Sequence, residues 1–268
     1  MRAATLGLLA CPTCRVPLAI EGSFQDPIST GKIRCSSCSQ DYPVENGIPQ
    51  FIQQPRLTGL NRRFSKTYDW FSWFYRAFSR IAFAYIGMDE GTARREITSR
   101  LEPGGGKVLE VSIGPGVNLP YLKEREDVGD IYGLDISPGQ LLQCQGYSRK
   151  KGWEVELFLG NAEQLPFQDA SFESVFHVGG INFFNDKKAA IIEMIRVSKA
   201  GARILICDET ERGARAYERF LPSFKRAVGN RRETIQAPIA MVPAEMLEAH
   251  VDEVWKGWMY CLDFRKPQ

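Results

Sequence analysis

Short apolar runs separated by turn residues dominate the second half of the chain. Lys107-Val108-Leu109-Glu110-Val111 follows the loop Leu101–Gly106 and reads as a strand covered on both faces, since such strands lack the alternation of half-buried ones. Ile131–Ser137 is a second such run, a fourth strand ends at Val175–Val178, a fifth covers Arg203–Cys207, and a helix is expected after Asn118. A helix is also expected over Pro243–His250, after which Val251–Trp255 and Trp258–Phe264 alternate like an antiparallel hairpin. Nearer the start, Leu18–Glu21, Lys32–Arg34 and Gln40–Val44 are short β-type pieces, and Asn46-Gly47 marks a tight turn between two apolar strand pieces. Phe64, Tyr68, Phe71, Tyr75 and Phe78 recur at steps of four and three, one face of a helix, while Trp70, Trp73 and Phe74 occupy its other faces. That segment either packs between two domains or walls a pocket for an apolar acceptor, or does both.

Composition narrows the function classes. With 34 basic and 32 acidic residues the net charge is +2, which excludes wholesale polyanion binding. Residues 1–55 carry four Lys/Arg against four Asp/Glu, whereas 56–100 carry nine against four. No apolar run reaches the ~18 residues of a transmembrane helix, although peripheral membrane contact stays open. Leu6–Ala10 is too short for a signal peptide, and Leu8–Cys11 has the form of a lipoprotein cleavage box without the apolar region before it. A cytoplasmic protein is expected.

Four of the seven cysteines form two pairs, Cys11/Cys14 and Cys35/Cys38, separated by twenty residues. Thiolates two residues apart at a tight turn put two sulfurs on one metal, and two such knuckles close a tetrahedral zinc site with no open position. Two disulfides or free thiols are the alternatives, and a reducing cytosol disfavours the first. A structural rather than catalytic metal is expected. Residues 9–53 resemble the small zinc-ribbon proteins that activate tRNA and protein methyltransferases. Cys144, Cys207 and Cys261 stand apart and read as buried apolar residues.

Ser112-Ile113-Gly114-Pro115-Gly116-Val117-Asn118 turns the first strand into a helix through glycines, which lets a ligand approach the backbone, and Asp135 follows about 20 residues later, placed for ribose hydroxyls. Val108–Asn118 resembles the first motif of the class I S-adenosylmethionine-dependent methyltransferases, with Ser112 in place of the first glycine. Asp135, Gly160–Phe167, Ser171–Val175 and Arg196–Ala202 resemble their later elements in order, over about residues 64–264. The resemblance implies an α/β fold, a doubly wound Rossmann-like seven-stranded sheet with an N-terminal zinc ribbon. It implies a ribbon over 1–55, an aromatic helical connector or substrate cap over 56–100, and a cofactor-binding domain over 101–268 with an insertion at about 209–242. It further implies that Gly114 and Gly116 line the methionine end of S-adenosylmethionine and that Glu110 reaches its amino group directly or through water. Asp135 would hold the ribose, Asn161 the adenine amino group and Ala162 the adenine ring, with Ser112, Ile136 and His177 also beside the cofactor.

Gly179–Asp186 resembles a segment of the ubiquinone/menaquinone C-methyltransferases, with one residue inserted, and the Asp/Asn-Pro-Pro-aromatic motif of amide and nucleic-acid N-methyltransferases is absent. His177 reads as a base or as a wall of the cofactor pocket, with Asn182 beside the acceptor. His250 reads as structural. The insertion carries Arg212, Arg215, Arg219, Lys225, Arg226, Arg231 and Arg232 against Glu211 and Glu218, a solvated face or a cover for an anionic partner. A methyltransferase acting on a small aromatic, quinone-like or lipidic acceptor is the first reading. An rRNA or tRNA methyltransferase using its ribbon on RNA is the second, disfavoured by the neutral ribbon. A non-catalytic cofactor-binding protein is the third.

Overall fold

The computed structural model describes residues 1–52, 59, 79, 81, 83–220 and 234–268, the side chains of 217–220 excepted. The aromatic run from Phe64 to Phe78 and Lys225, Arg226, Arg231 and Arg232 of the insertion lie outside the described residues.

The first strands, β1 (Leu18–Ile20), β2 (Gly31–Cys35), β3 (Asp41–Glu45) and β4 (Ile48–Pro49), form an antiparallel sheet in that order. Asn46 and Gly47 both take positive φ, 53° and 81°, which a two-residue hairpin between paired Glu45 and Ile48 requires. Helix α1 (Glu90–Thr98) follows, capped by the Asp89 carboxylate on Thr92 N. Then come β5 (Val108–Val111), α2 (Leu119–Lys123), β6 (Ile131–Asp135), α3 (Pro138–Lys151), β7 (Glu156–Leu159), β8 (Phe172–Val178), α4 (Lys187–Val197), β9 (Ser198–Glu209), α5 (Glu211–Phe220), β10 (Leu247–Val254) and β11 (Met259–Arg265).

These seven later strands form one sheet in the order β10-β11-β9-β8-β5-β6-β7. Strands β5 to β9 are parallel, and only β11 runs against its neighbours β9 and β10. Both faces are covered, so Leu109, Val111, Leu134 and Ile206 enter one apolar cluster while Val108, Ile131, Leu205 and Cys207 enter the other. This explains the unbroken apolar runs in the sequence. The sheet reverses its strand order between β5 and β8, the place where α/β sheets leave a crevice at their carboxyl ends.

Two expectations need correction. His250 lies on edge strand β10, paired with Asp263 of β11, rather than on a helix. Pairing with β11 outweighs a weak local helical pattern there. Cys207 and Cys261 are not isolated from each other either: they face across β9 and β11 with sulfurs 2.9 Å apart. Both are fully buried, as is Cys144.

The ribbon packs directly on the large sheet. Ala10 N donates to Pro166 O at 3.0 Å, Gln168 N to Leu8 O at 2.8 Å and Phe51 N to Leu159 O at 2.8 Å. Leu9, Tyr42 and Phe51 share an apolar cluster with Phe158, Leu165 and Phe167.

Candidate functional site

The crevice at the reversal is lined by the turn after β5 (Ser112–Pro115, Val117, Asn118), the end of β6 (Leu134, Asp135, Ile136), Gly160, Asn161 and Ala162 after β7, Val178–Gly180 and Phe183–Phe184 after β8, and Glu209 at the end of β9. Glu110 and Gln140 complete the wall. The strand order puts the β5–β7 residues on one side and the β8–β9 residues on the other.

On the first side, Ser112, Gly114 and Gly116 have φ of 61°, 55° and 73°. Ser112 therefore adopts the left-handed backbone that glycine favours. A Cβ on Gly116 would stand 2.6 Å from Leu119 Cδ1 and 2.8 Å from Cys144 Sγ, so the turn has no room for a side chain there. Asp135 is buried and holds the loops together, its Oδ2 accepting from Gly114 N at 2.8 Å and its Oδ1 from Ser137 N at 2.9 Å. Glu110 Oε1 accepts from Asn118 Nδ2 at 2.6 Å, while Oε2 is buried with no partner among the described residues. Burial pushes its carboxyl up to about 8, against the Asn118 bond and the Arg94 charge. Asn161 Oδ1 accepts from Glu163 N at 3.0 Å, so the oxygen expected to face an adenine already has one donor. Ile136 and Ala162 line the wall beside it.

His177 is not part of that wall. It is fully buried, with Nδ1 2.9 Å from Val111 O and Nε2 accepting from Ile181 N at 3.0 Å. An amide N–H can only donate, so Nε2 is the bare nitrogen and Nδ1 carries the proton. No ring nitrogen is left for a substrate proton, which corrects the reading of His177 as a base or a cofactor contact. Burial pulls its pKa down, against the Asp208 charge and the Val111 bond. Asn182 is likewise committed: its Nδ2 donates to Glu209 O at 2.9 Å and its Oδ1 accepts from Tyr260 Oη at 3.0 Å. Its amide braces the β8 and β9 loops, and it is not among the residues lining the crevice.

The groups on the β8–β9 side that sequence reading missed are Phe183, Phe184 and Glu209. Buried Asp208 takes hydrogen bonds from Gly180 N, Asn182 N and Glu209 N. Burial raises the Glu209 carboxyl well above the usual carboxylate range, and the Asp208 charge adds to the shift. One of its oxygens, Oε2, is shut from water without a partner among the described residues. Asp208-Glu209 carries no local motif, and only the neighbouring β8 loop gives the pair its meaning.

In the ribbon, the sulfurs of Cys11, Cys14, Cys35 and Cys38 all lie within 4.8 Å of one another, with Cys11–Cys38 at 3.7 Å and Cys14–Cys35 at 3.3 Å. Tetrahedral zinc with Zn–S bonds of ~2.3 Å separates its sulfurs by about 3.8 Å, so the donor set fits. Tyr42 Oη stands 3.2 Å from Cys11 Sγ, in place to donate to a thiolate.

Residues 109–206 match a family model described as a methyltransferase domain. The chain is 30% identical over 123 residues to the demethylmenaquinone methyltransferase of Thermus thermophilus, covering 46% of this chain and 56% of that one. It is 33% identical over 117 residues to an O-methyltransferase of Aspergillus nomiae, covering 42% and 52%. The matches thus span about half the length of these curated relatives. Among solved structures, an S-adenosyl-L-methionine-dependent methyltransferase of Methanococcus maripaludis superposes with a TM-score of 0.57 at 15% identity, covering 80% of this chain and 96% of that one. No helix among the described residues is long and apolar enough to cross a membrane. Residues 109–206 thus match a methyltransferase domain, and the sheet order is that of a fold shared with the solved methyltransferase structure.

Proposed function

We propose that the protein transfers a methyl group from S-adenosylmethionine to a small, largely apolar acceptor, aromatic or quinone-like, and that its ribbon holds one structural zinc. The observation that carries this reading is the two-sided crevice. Hydrogen-bonding groups of Glu110, Asp135 and Asn161 stand on the β5–β7 side, and Phe183, Phe184 and Val178 on the β8 side. The two curated relatives described above, one named for demethylmenaquinone and one an O-methyltransferase, support a small-molecule acceptor and leave its methylated atom open.

The sulfonium of the donor, when bound, supplies the electrophilic methyl for an in-line displacement. The protein's own residues then have to orient and exclude water. Gly114 lets the backbone come close, Asp135 faces the ribose from the end of β6, and Glu110 Oε2 suits the ammonium of the methionine end. The apolar β8 wall seats the acceptor.

Two measurements test the reading. S-adenosylhomocysteine should bind, and Asp135→Ala should weaken it by roughly tenfold or more, as loss of a charged hydrogen bond predicts. Tritiated methyl transfer into a cell extract should label the organic-soluble fraction. Label chiefly in RNA would overturn it in favour of an RNA methyltransferase.

A further inference from the structure

A line of buried polar side chains runs from helix α1 to the crevice. Arg94 Nη1 donates to Asn118 Oδ1 at 2.8 Å, and Asn118 Nδ2 donates to Glu110 Oε1 at 2.6 Å. On its other side Arg94 is held by Glu90 Oε1 at 2.9 Å from Nε and by Ser79 Oγ at 3.0 Å from Nη2. Its guanidinium also lies over the Phe83 and Trp255 rings. Arg94, Asn118 and Glu110 are 4%, 2% and 1% exposed, so water does not compete for these bonds.

The direction of every bond in the line follows from Arg94. A guanidinium has donors and no acceptor, so the Asn118 oxygen must face it and the Asn118 NH2 must face Glu110. Without that constraint the amide could turn over and present its oxygen to the Glu110 carboxyl, which would then keep its proton to donate. With it, Glu110 Oε1 always receives a donor, and Oε2, unpartnered among the described residues, is the oxygen left for a ligand.

We propose that Arg94 is a positioning residue for the methyl donor: through the Asn118 amide it fixes Glu110 so that Oε2 meets the ammonium at the methionine end. The proposal rests on the donor-binding reading above. Arg94 touches no ligand itself, and its effect falls on the amino-acid end of the donor alone. Adenosine contacts, made across β6 and β7, lie outside its reach.

The test compares two ligands by calorimetry on the full chain. S-adenosylhomocysteine carries the ammonium, and 5′-methylthioadenosine shares the nucleoside and thioether but lacks the amino-acid end. Arg94→Met and Asn118→Ala should each weaken S-adenosylhomocysteine by about tenfold or more and leave 5′-methylthioadenosine within about threefold of wild type. Asn118→Ala carries the test alone if Arg94→Met does not fold. Equal losses for both ligands, or no loss for either, overturn the proposal. Wild-type protein that binds neither ligand overturns the donor-binding reading instead.

Discussion

Arg15 and Glu193 form a two-pronged ion pair, Nη1 to Oε2 and Nη2 to Oε1, both at 2.8 Å. Arg15 directly follows Cys14 of the first knuckle, and buried Glu193 belongs to α4 of the large domain. Glu193 Oε2 also accepts from Leu165 N at 2.7 Å, and Arg15 Nη1 donates to Leu165 O at 3.2 Å. The cysteine knuckle is thereby tied to the same loop that carries Asn161 and Ala162 into the crevice. Arg15→Ala should cost roughly 1–3 kcal/mol of stability, because Arg196 still pairs with the carboxylate that is left. Urea unfolding measures it, and a change below about 0.5 kcal/mol would mean the pair holds nothing together.

Metal content is the next test. Elemental analysis of protein purified without chelator should find one zinc per chain, and Cys14→Ser should lower that content. Removing the ion should loosen β1–β4, seen as faster amide exchange there than in β5–β9, since the ribbon's own core is small. Native disulfides among Cys11, Cys14, Cys35 and Cys38 would contradict the assignment.

His177 should act on stability rather than on proton transfer. Its folded pKa lies below the ordinary value near 6.5, so the unfolded chain binds a proton more readily. The contribution is full above about 6.5 and is lost as pH falls from there towards the lower folded value. His177→Asn should destabilise by roughly 1–3 kcal/mol near neutrality and flatten the fall in stability between about pH 7 and pH 5. A variant as stable as wild type with lost turnover would restore the base reading.

Glu110 gives donor binding a pH dependence of its own. Burial raises its carboxyl to about 8, with the Asn118 bond and Arg94 of α1 opposing and Asp135 of β6 reinforcing the shift. Below that value the free protein holds a proton which the ligand's ammonium must displace. Affinity for S-adenosylhomocysteine should therefore rise from about pH 6 towards pH 8, and calorimetry in buffers of different ionisation enthalpy should detect proton release at pH 7. Glu110→Gln should abolish that release.

Glu209 lines the crevice at the end of β9, and burial raises its carboxyl well above the usual carboxylate range, so it is expected to donate a hydrogen bond to the acceptor. Glu209→Ala should lower kcat/KM for the acceptor by about tenfold, with Glu209→Gln losing far less because its amide still donates. Equal losses in the two variants would mean instead that this carboxyl must take up a proton. S-adenosylhomocysteine affinity serves as the control.

Much of this architecture was legible in the chain because its signals are local. Doubly buried strands such as Val108–Val111 and Ile131–Asp135 need continuous apolar runs, a tight strand-to-helix turn needs Gly116, and a tetrahedral thiolate site needs two close pairs of cysteines. Those requirements act within a few residues, so the alphabet records them. The roles of His177, Asn182 and Arg94 depended on partners 4 to 78 residues away, among them Ile181, Val111, Asn118 and Tyr260. A histidine near a catalytic edge and a histidine pinned between two backbone groups read alike in sequence. Only packing decides which nitrogen is left free, because a hydrogen-bond partner is chosen by position in space and burial sets what an unpaired group costs.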